Sequence, residues 1–333
     1  MNIMRALISL VNSALVKSER FDSKPGGNSM KYIVTGGAGF IGSHLVERLL
    51  QDEHRVLIVD NMRSGNIRNL ATFLQKVDYA PNIEAIPGSG FDGVFHLGFP
   101  SSSPMYRQDP ILVADVTRDM IKILEYAAKE EIPMIYATTS SIYNGNPTPW
   151  REDMPIHVTD YYTEARYAAE RLSRLYFNLK GVNSVGLRLF SVYGENEWYK
   201  GKYANLVSQF IWAMMRDERP EIYFDGEQRR DFVYQSDVVD CFVKAMKIAS
   251  DNPICDLVNV GTGKNYSLNE LVLEINKALG KSIKPIYRDM DIPNYVQDTL
   301  ADTGKMRRMF EGINVELSEG IARVISHYRK HPL

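Results

Sequence analysis

Short apolar runs rich in β-branched residues alternate along this chain with longer segments whose apolar residues recur at a helical period. The runs are KYIVTGG (31–37), RVLIVD (55–60), GVFHLG (93–98), PMIYATTS (133–140) and SVGLRLF (184–190). The longer segments are FIGSHLVERLLQDE (40–53), ILVADVTRDMIKILEYAAKE (111–130) and the stretch that opens with DYYTEAR at residue 160. Strands and helices in this alternation predict an α/β fold, a doubly wound parallel sheet with helices on both faces.

The pattern becomes less regular after residue 190. It predicts helices near 205–216, 237–249 and 268–279, and short strands at EIYF (221–224) and LVNVG (257–261). Ser267 with Glu270 matches the capping box that begins many helices. We therefore expect an N-terminal extension (1–29), a doubly wound domain (30–190) and a smaller C-terminal α/β domain (191–333), some elements of which return to the first sheet.

The N-terminal extension contains an apolar run over residues 6–16 that Asn12 interrupts. A bilayer-spanning helix needs about 20 apolar residues, so this run is too short to cross a membrane. We interpret the extension as an extra helix or the product of an upstream start, with a weak signal peptide as the alternative, and expect no membrane partner.

Composition excludes several classes of function. Hydrophobic residues make up 44% of the chain and charged residues 24%, and the net charge of −2 leaves no basic excess to suit nucleic acid. The two cysteines, Cys241 and Cys255, are too few for a disulfide framework and lack metal-ligand spacing. We expect a soluble cytoplasmic protein with no metal site and no nucleic-acid partner.

The segment TGGAGFIG (35–42) lies between a predicted strand and a predicted helix. Glycines at Gly36, Gly39 and Gly42 allow the backbone to approach a pyrophosphate, which the helix N-terminus attracts through its free amides and its dipole. The next strand ends in Asp60, where a carboxylate can bind the ribose diol of an adenosine. Arg63 could favour a 2′-phosphate, but Asp60 would repel that group, so the sequence predicts NAD as the cofactor.

The glycine spacing and four later segments together resemble one family. The segments, in chain order, are ATTSSIYN (137–144), the tyrosine-bearing helix from residue 160, RLFSVYG (188–194), GEQRRDFVYQSDVV (226–239) and NVGTGKNYSLNEL (259–271). As an ordered set they resemble the extended short-chain dehydrogenases/reductases, most closely the UDP-glucose/UDP-galactose 4-epimerase-like nucleotide-sugar epimerases and dehydratases. The resemblance implies an NAD-binding Rossmann domain and a C-terminal substrate domain. It also implies transient oxidation of a sugar hydroxyl followed by return of the hydride.

The resemblance assigns the catalytic roles. Tyr162 matches the family's catalytic tyrosine better than Tyr161 does, Thr139 matches its serine or threonine, and Arg166 stands where the family has lysine. Guanidinium keeps the positive charge that stabilises a phenolate but cannot release a proton as lysine can. Asp115 stands where the family usually has asparagine, and we consider two hypotheses: that Asp115 and Arg166 form a compensating pair, or that the two changes are independent.

The resemblance also implies binding residues. The cofactor-binding set comprises Gly36, Gly39, Phe40, Ile41, Gly42, Asp60, Asn61, Leu97, Tyr162 and Arg166. The substrate-binding set comprises Ser101, Thr139, Ser191, Tyr223 and Arg230, in which Arg230 grips the diphosphate and is preferred over Arg229, and Tyr223 packs against the base. We expect structural roles for His96, Tyr193 and Asp237, the last as a helix cap, and expect Ser140 or Ser141 to make the local backbone bond at the end of its strand.

Serines at positions 140 and 141 distinguish this sequence from the sugar dehydratases of the resembled family. Sugar dehydratases carry Asp-Glu directly after this threonine, and loss of that pair argues against dehydration. We therefore predict an NAD-dependent nucleotide-sugar epimerase, with a dehydratase or other sugar-modifying relative and a non-catalytic NAD or nucleotide-sugar binding protein as alternatives. Helices 111–131 and 162–180 correspond to those that pair the family's subunits, so we expect a homodimer.

Overall fold

Residues 29–289 and 296–331 are described by the computed structural model of the protein, and the helix interpreted for the N-terminal extension lies outside them. The strands are β1 (Lys31–Thr35), β2 (Arg55–Val59), β3 (Asp78–Ala80), β4 (Gly93–His96), β5 (Met134–Thr139), β6 (Ser184–Leu189), β7 (Ser191–Tyr193), β8 (Glu221–Tyr223), β9 (Arg229–Arg230), β10 (Phe232–Tyr234), β11 (Cys255–Val260), β12 (Tyr266–Ser267) and β13 (Ile286–Arg288). The α-helices are α1 (Phe40–Gln51), α2 (Ser103–Gln108), α3 (Leu112–Glu130), α4 (Tyr161–Lys180), α5 (Leu206–Met215), α6 (Gln235–Asp251), α7 (Leu268–Leu279), α8 (Gly304–Phe310) and α9 (Leu317–Lys330). Short 3₁₀ helices cover Ile67–Leu70, Leu74–Lys76, Ile83–Ala85, Ser140–Tyr143 and Trp198–Tyr203.

Seven of the described strands form one sheet in the order β11-β6-β5-β4-β1-β2-β3, and every neighbouring pair is parallel. This confirms the doubly wound α/β fold that the hydrophobic pattern predicts. Strand β11 lies beyond residue 190 in sequence and pairs with β6, so one element of the C-terminal half returns to this sheet. Strand β3 was not predicted, because it has three residues of which only Ala80 is fully buried.

The direction in which the chain adds strands reverses between β1 and β4. From β1 the chain adds β2 and β3 on one side, and from β4 it adds β5, β6 and β11 on the other. Strands β1 and β4 are neighbours, and Thr35 at the end of β1 lies opposite His96 at the end of β4. In open α/β sheets the crevice outside the carboxyl ends of the strands at such a reversal is where ligands bind.

Helices bury both faces of the sheet. On one face α1 and α6 pack with Val34, and the α6 residue Phe242 is fully buried there. On the other face α3 and α4 pack with Ile33 through Met120 and Ala165. All five residues of β1 are buried, which explains why this strand is a continuous apolar run rather than an alternating one.

The C-terminal part builds its own core from α5, α7 and α9, and the small strand pairs β7–β10, β8–β13 and β9–β12 flank it. The capping box predicted for α7 is confirmed, because Ser267 and Glu270 each accept the other's backbone N–H. Within residues 29–289 and 296–331, each helix is too short or too polar to cross a membrane.

Candidate active site

A cleft of about 770 Å³ opens at the carboxyl ends of β1, β4, β5 and β6. It brings together most of the residues that the sequence singled out, although they come from segments up to about 190 residues apart. The predicted site residues that line it are Gly36, Gly39, Phe40, Ile41, Gly42, Asp60, Asn61, Leu97, Ser101, Thr139, Tyr162, Arg166, Ser191 and Arg230. Tyr223 is not among its lining residues, so its assignment to the nucleotide base remains a prediction.

The glycine turn between β1 and α1 is closed so tightly that side chains would not fit. A Cβ atom on Gly42 would lie 2.0 Å from the carbonyl oxygen of Gly36. A Cβ atom on Gly36 would lie 2.8 Å from the backbone of Leu97 and Gly98, and Gly36 has a φ of +69°, in the left-handed region that glycine tolerates. The backbone of this turn therefore forms a floor that a ligand can approach closely.

Helix α1 begins at this floor. Its N-cap is Gly39, its first turn contains no acidic residue, and no side chain in the described residues caps its free amides. A helix N-terminus of this kind favours a diphosphate through its amides and its dipole. The turn and the helix together fit the pyrophosphate of a dinucleotide.

Asp60 lies at the end of β2, beside the same turn. Its carboxylate accepts the backbone N–H groups of Ala38 at 3.0 Å and Met62 at 2.8 Å, which fixes its orientation. Burial raises the pKa of Asp60, while these two hydrogen bonds act to lower it. A carboxylate has further lone pairs, so Asp60 can also accept from a ribose diol, and the residues present fit NAD.

Arg63, the residue that could have favoured a 2′-phosphate, contacts two carboxylates. Its guanidinium lies 3.3 Å from Asp109 and 3.5 Å from Asp115. Both acids oppose the recruitment of another anion by Arg63. The electrostatics at this end of the cleft thus agree with the choice of NAD that Asp60 indicates.

Tyr162 is the second residue of α4. The helix begins with a capping box in which Asp160 accepts the backbone N–H of Thr163 at 2.8 Å and the Thr163 hydroxyl accepts the backbone N–H of Asp160 at 3.2 Å. The Tyr162 ring packs edge-on against Tyr106, with 5.4 Å between the ring centroids. Tyr162 lines the cleft, whereas Tyr161 is not among the lining residues and is half exposed, which supports the choice between the two tyrosines.

Arg166 follows one turn later and is 4% exposed. Its guanidinium lies over the rings of Phe99 at 4.3 Å and Tyr162 at 5.2 Å, and its Nη2 donates to the carbonyl of Pro100 at 2.8 Å. The hypothesis of a compensating pair with Asp115 is wrong. Asp115 lines the same cleft but forms ion pairs with Arg118 at 2.5 Å and with Arg63 at 3.5 Å. Arg166 forms no ion pair within the described part of the chain.

Thr139 ends β5 and is buried at the cleft wall. Its Oγ1 accepts the backbone N–H of Ser141 at 3.2 Å, because Thr139 is the N-cap of the following 3₁₀ turn. The expectation that Ser140 or Ser141 makes the local backbone bond is therefore wrong. The Thr139 hydroxyl still has a proton to donate, since the capping bond uses only a lone pair.

His96 is a buried residue at the end of β4, as expected of a structural histidine. Its Nδ1 bonds the Thr35 hydroxyl at 2.7 Å and its ring packs against Phe99 with centroids 4.3 Å apart. Burial, with the positive charge of Arg166, lowers the pKa of His96 to about 3. The imidazole is therefore neutral at physiological pH and does not compete with Arg166 as a cation.

The two arginines of the RRD segment differ as the sequence suggested. Arg229 is bound by Asn265 and by Glu270 at 2.8 Å, and it does not line the cleft. Arg230 lines the cleft and donates to the backbone carbonyls of Val296 at 2.7 Å and Gln297 at 3.0 Å. Arg230 thus holds the segment that follows residue 295 against the cleft.

Two aspartates that carry no expected catalytic role fix loops around the site. Asp231 is fully buried and accepts hydrogen bonds from Thr262, Gly263 and Ala301. Asp237 accepts the backbone N–H groups of Asn314 and Val315, so it ties the segment before α9 to α6. The expectation that Asp237 caps a helix is wrong, because Tyr234 is the N-cap of α6 and makes no side-chain cap bond, while the Asp237 carboxylate binds residues distant in sequence.

Phe99 lines the cleft but is not among the functional residues that the sequence identifies. The segment HLGFP (96–100) differs from the His-Leu-Ala-Ala of the resembled family at Gly98 and Phe99, and this departure was the available signal. Tyr193 is buried in the C-terminal core and donates its hydroxyl hydrogen to the Leu317 carbonyl, consistent with a structural role.

No group of three or more His, Cys, Asp or Glu suited to a metal occurs within the part of the chain that the structure describes.

Comparison with known proteins gives a consistent result. The sequence model described as the NAD dependent epimerase/dehydratase family matches residues 32–261. A putative UDP-glucose 4-epimerase of Methanocaldococcus jannaschii is 32% identical, with 88% of this chain and 97% of that protein covered. A UDP-glucose 4-epimerase of Mycolicibacterium smegmatis is 30% identical, with 90% and 99% covered. The crystal structure of the UDP-glucose 4-epimerase of Thermotoga maritima with UDP-glucose superposes with a TM-score of 0.83 at 28% identity, with 91% and 99% covered.

Proposed function

The chain belongs to the NAD-dependent epimerase/dehydratase family, and from this premise we propose that its cleft inverts one carbon of a nucleotide-diphosphate sugar. The observation that carries the proposal is the convergence of Tyr162, Arg166 and Thr139 with the glycine turn and Asp60 on one cleft. The names of the relatives favour a UDP-hexose as the substrate.

The residues divide the chemistry as follows. NAD held by the glycine turn and Asp60 would supply a hydride acceptor for the sugar carbon and would return the same hydride to it. Tyr162 in its phenolate form takes the proton from the hydroxyl on that carbon, so the carbon becomes a ketone. Thr139 donates a hydrogen bond to the same oxygen and keeps it within reach of Tyr162. Tyr162 then returns the proton to the oxygen as the opposite face of the carbon is reduced, which inverts the centre.

Arg166 contributes the positive charge that stabilises the phenolate. A cation over the face of a phenol ring interacts more strongly with the phenolate than with the neutral phenol, because the phenolate ring is richer in electrons. Arg230 and Ser191, together with Ser101, are the residues we assign to the substrate diphosphate and sugar. Arg230 would have to exchange one of its carbonyl contacts at Val296 or Gln297 for a phosphate oxygen.

Epimerisation is favoured over dehydration by the residues next to Thr139. Dehydration removes a hydroxyl and a neighbouring proton from the sugar, which requires an additional acid and base beside the reacting carbon. Ser140 and Ser141 lie at those positions and carry no carboxylate. Reversible oxidation with rotation of a ketone needs no further titratable group.

Incubation of the purified protein with a panel of UDP-, ADP- and dTDP-hexoses, followed by chromatography of the products, tests the proposal. We expect a new epimer from at least one UDP-hexose without added reductant. A 4-keto-6-deoxy product would identify a dehydratase. Bound NAD and nucleotide protection without any product would identify a binding protein.

We also propose that the protein is a cytoplasmic homodimer. Helices α3 and α4 pack side by side and expose Ile121, Leu175 and Leu179 to solvent, the last at 73%. Covering these apolar side chains with a second copy of the same pair is favourable. Two cysteines without a disulfide framework or metal-ligand spacing suit a reducing compartment.

A further inference from the structure

The guanidinium of Arg166 is enclosed by aromatic rings and a carbonyl. Its central carbon lies 4.3 Å from the ring centroid of Phe99 and 5.2 Å from that of Tyr162, and Nη2 donates to Pro100. Phe99 and Pro100 are consecutive, so one loop after β4 supplies both the ring and the carbonyl. This loop holds the cation in one orientation beside the phenol.

The other nitrogens of this guanidinium are sealed from solvent. Nε and Nη1 are buried and have no hydrogen-bond partner, and Arg166 forms no ion pair in the described residues. A buried cation without a carboxylate is costly, and the electron-rich faces of aromatic rings are the main compensation that remains. Arg166 therefore depends on Phe99 more than an exposed arginine would.

Of the titratable groups that face Arg166, Tyr162 is the one whose ring lies under the guanidinium and lines the cleft. On β4, burial and Arg166 lower the pKa of His96 to about 3, so His96 is neutral. On α2, burial raises the pKa of Tyr106 to about 12, so Tyr106 is protonated. On α4 itself, the Asp160 carboxylate is bound to Thr163 and to Ser103 at the helix start.

We propose that Phe99 is a positioning residue which acts through Arg166, its ring fixing the guanidinium over the face of Tyr162 so that the charge supports the proton-accepting phenolate. Arg166 then acts on Tyr162 through its charge. A planar guanidinium can lie flat on Phe99 while an N–H in its plane bonds the Pro100 carbonyl, whereas an ammonium group has no planar face to stack. Phe99 and Arg166 thus act together on Tyr162. The expected effect on turnover rests on the proposed function.

The test compares Phe99→Leu, which keeps apolar bulk but removes the ring, with Phe99→Tyr, which keeps the ring. The control is Tyr167→Leu, because Arg171 stacks on Tyr167 at 4.9 Å on the same helix but outside the cleft. The readouts are kcat against pH on the substrate found above and the NMR signal of the Arg166 Nε–Hε group, assigned by its loss in Arg166→Lys. Phe99→Met replaces Phe99→Leu if the leucine variant fails to fold.

We expect Phe99→Leu to lower kcat about 10-fold and to move the rising limb of the pH profile upward by about one pH unit. Its Arg166 Nε–Hε signal should lose the ring-current shift of the wild type. Phe99→Tyr should recover both the rate and the shift, and Tyr167→Leu should change neither. A Phe99→Leu protein with the wild-type pH profile and an unchanged Arg166 signal overturns the proposal.

The two proposals fail in different ways. If the wild type turns over no nucleotide sugar, the proposed function fails. The NMR comparison then still decides whether Phe99 orients Arg166, because it needs no turnover. If the wild type is active and the ring at 99 is irrelevant to rate, pH profile and signal, only the role of Phe99 fails.

Discussion

At the scale of single residues, Tyr162 carries the clearest prediction. Phe at this position keeps the ring that faces Arg166 and Tyr106 but removes the proton acceptor. Loss of a general acid and base lowers rates by about 10²- to 10⁴-fold, so we expect Tyr162→Phe to lose at least about 100-fold in kcat. NAD binding, followed by fluorescence, should be retained. A Tyr162→Phe variant with more than half of the wild-type rate would assign the proton transfer to another group.

The lowered pKa of the buried His96 predicts how the free energy of unfolding depends on pH. Its pKa is about 3 in the folded protein and 6.5 in an unfolded chain, so the unfolded state binds the proton more tightly. The stability it contributes is complete above pH 6.5 and is lost as pH falls towards 3, at up to about 1.4 kcal/mol per pH unit.

We therefore expect His96→Asn to flatten the fall in unfolding free energy between pH 6 and pH 4, as measured by urea titration. His157→Asn, at an exposed position, is the control and should keep the wild-type slope. Parallel slopes for wild type and His96→Asn would show that His96 is not held neutral by the fold.

The individual site residues that sequence reasoning found are those that belong to local motifs. The glycine turn, Asp60, Thr139 and Tyr162 lie at the ends of strands or the start of a helix, where the pattern itself fixes their position. The partner of Arg166 was not predictable, because Phe99 is 67 positions away and only the packing of the β4 loop on α4 brings them together. For the same reason the sequence suggested Asp115, which shares a helix face with Arg118 instead.

At the scale of elements, the capping box of α4 connects stability to catalysis. Tyr162 is in the first turn of α4, which Asp160 and Thr163 close. We expect Asp160→Ala to cost about 1 kcal/mol of unfolding free energy and also to lower kcat, because a frayed first turn misplaces Tyr162.

Helix α7 offers a matched control for this prediction. Its capping box, Ser267 with Glu270, lies outside the cleft. Ser267→Ala should cost a similar free energy of unfolding with kcat unchanged. Equal kcat values for Asp160→Ala and Ser267→Ala, measured under conditions where both are folded, would show that the first turn of α4 does not affect catalysis.

Elements with strong periodicity and clear end signals were predicted well. The range predicted for α7 coincides with its observed bounds, because a capping box begins it and Gly280 in the left-handed region ends it. Strand β3 was not predicted, because it forms by pairing with β2 and has no apolar run of its own. The short strands of the C-terminal part depend on distant partners in the same way.

At the scale of the whole molecule, the exposed leucines of α4 predict the assembly. Leu175 and Leu179 are 47% and 73% exposed in the single chain. We expect Leu175→Glu with Leu179→Glu to convert a dimer into a monomer, because four carboxylates would meet across a two-fold interface. Sedimentation velocity measures this change directly.

The control for the assembly is Leu273→Glu, since Leu273 is 59% exposed on α7, away from α3 and α4. It should leave the sedimentation coefficient unchanged. A wild-type protein that sediments as a monomer at micromolar concentration would exclude the proposed homodimer, and a double variant that stays dimeric would place the interface elsewhere.

The position of β11 has a consequence for the chain during its synthesis on the ribosome. The outer edge of β6 is closed by residues 255–260, which leave the ribosome some 65 residues after β6 itself. Until then the nascent chain carries an open row of amides and carbonyls that can pair with other chains. We therefore expect truncations that end before residue 255 to aggregate, although the motifs of the dinucleotide site lie almost entirely before that residue.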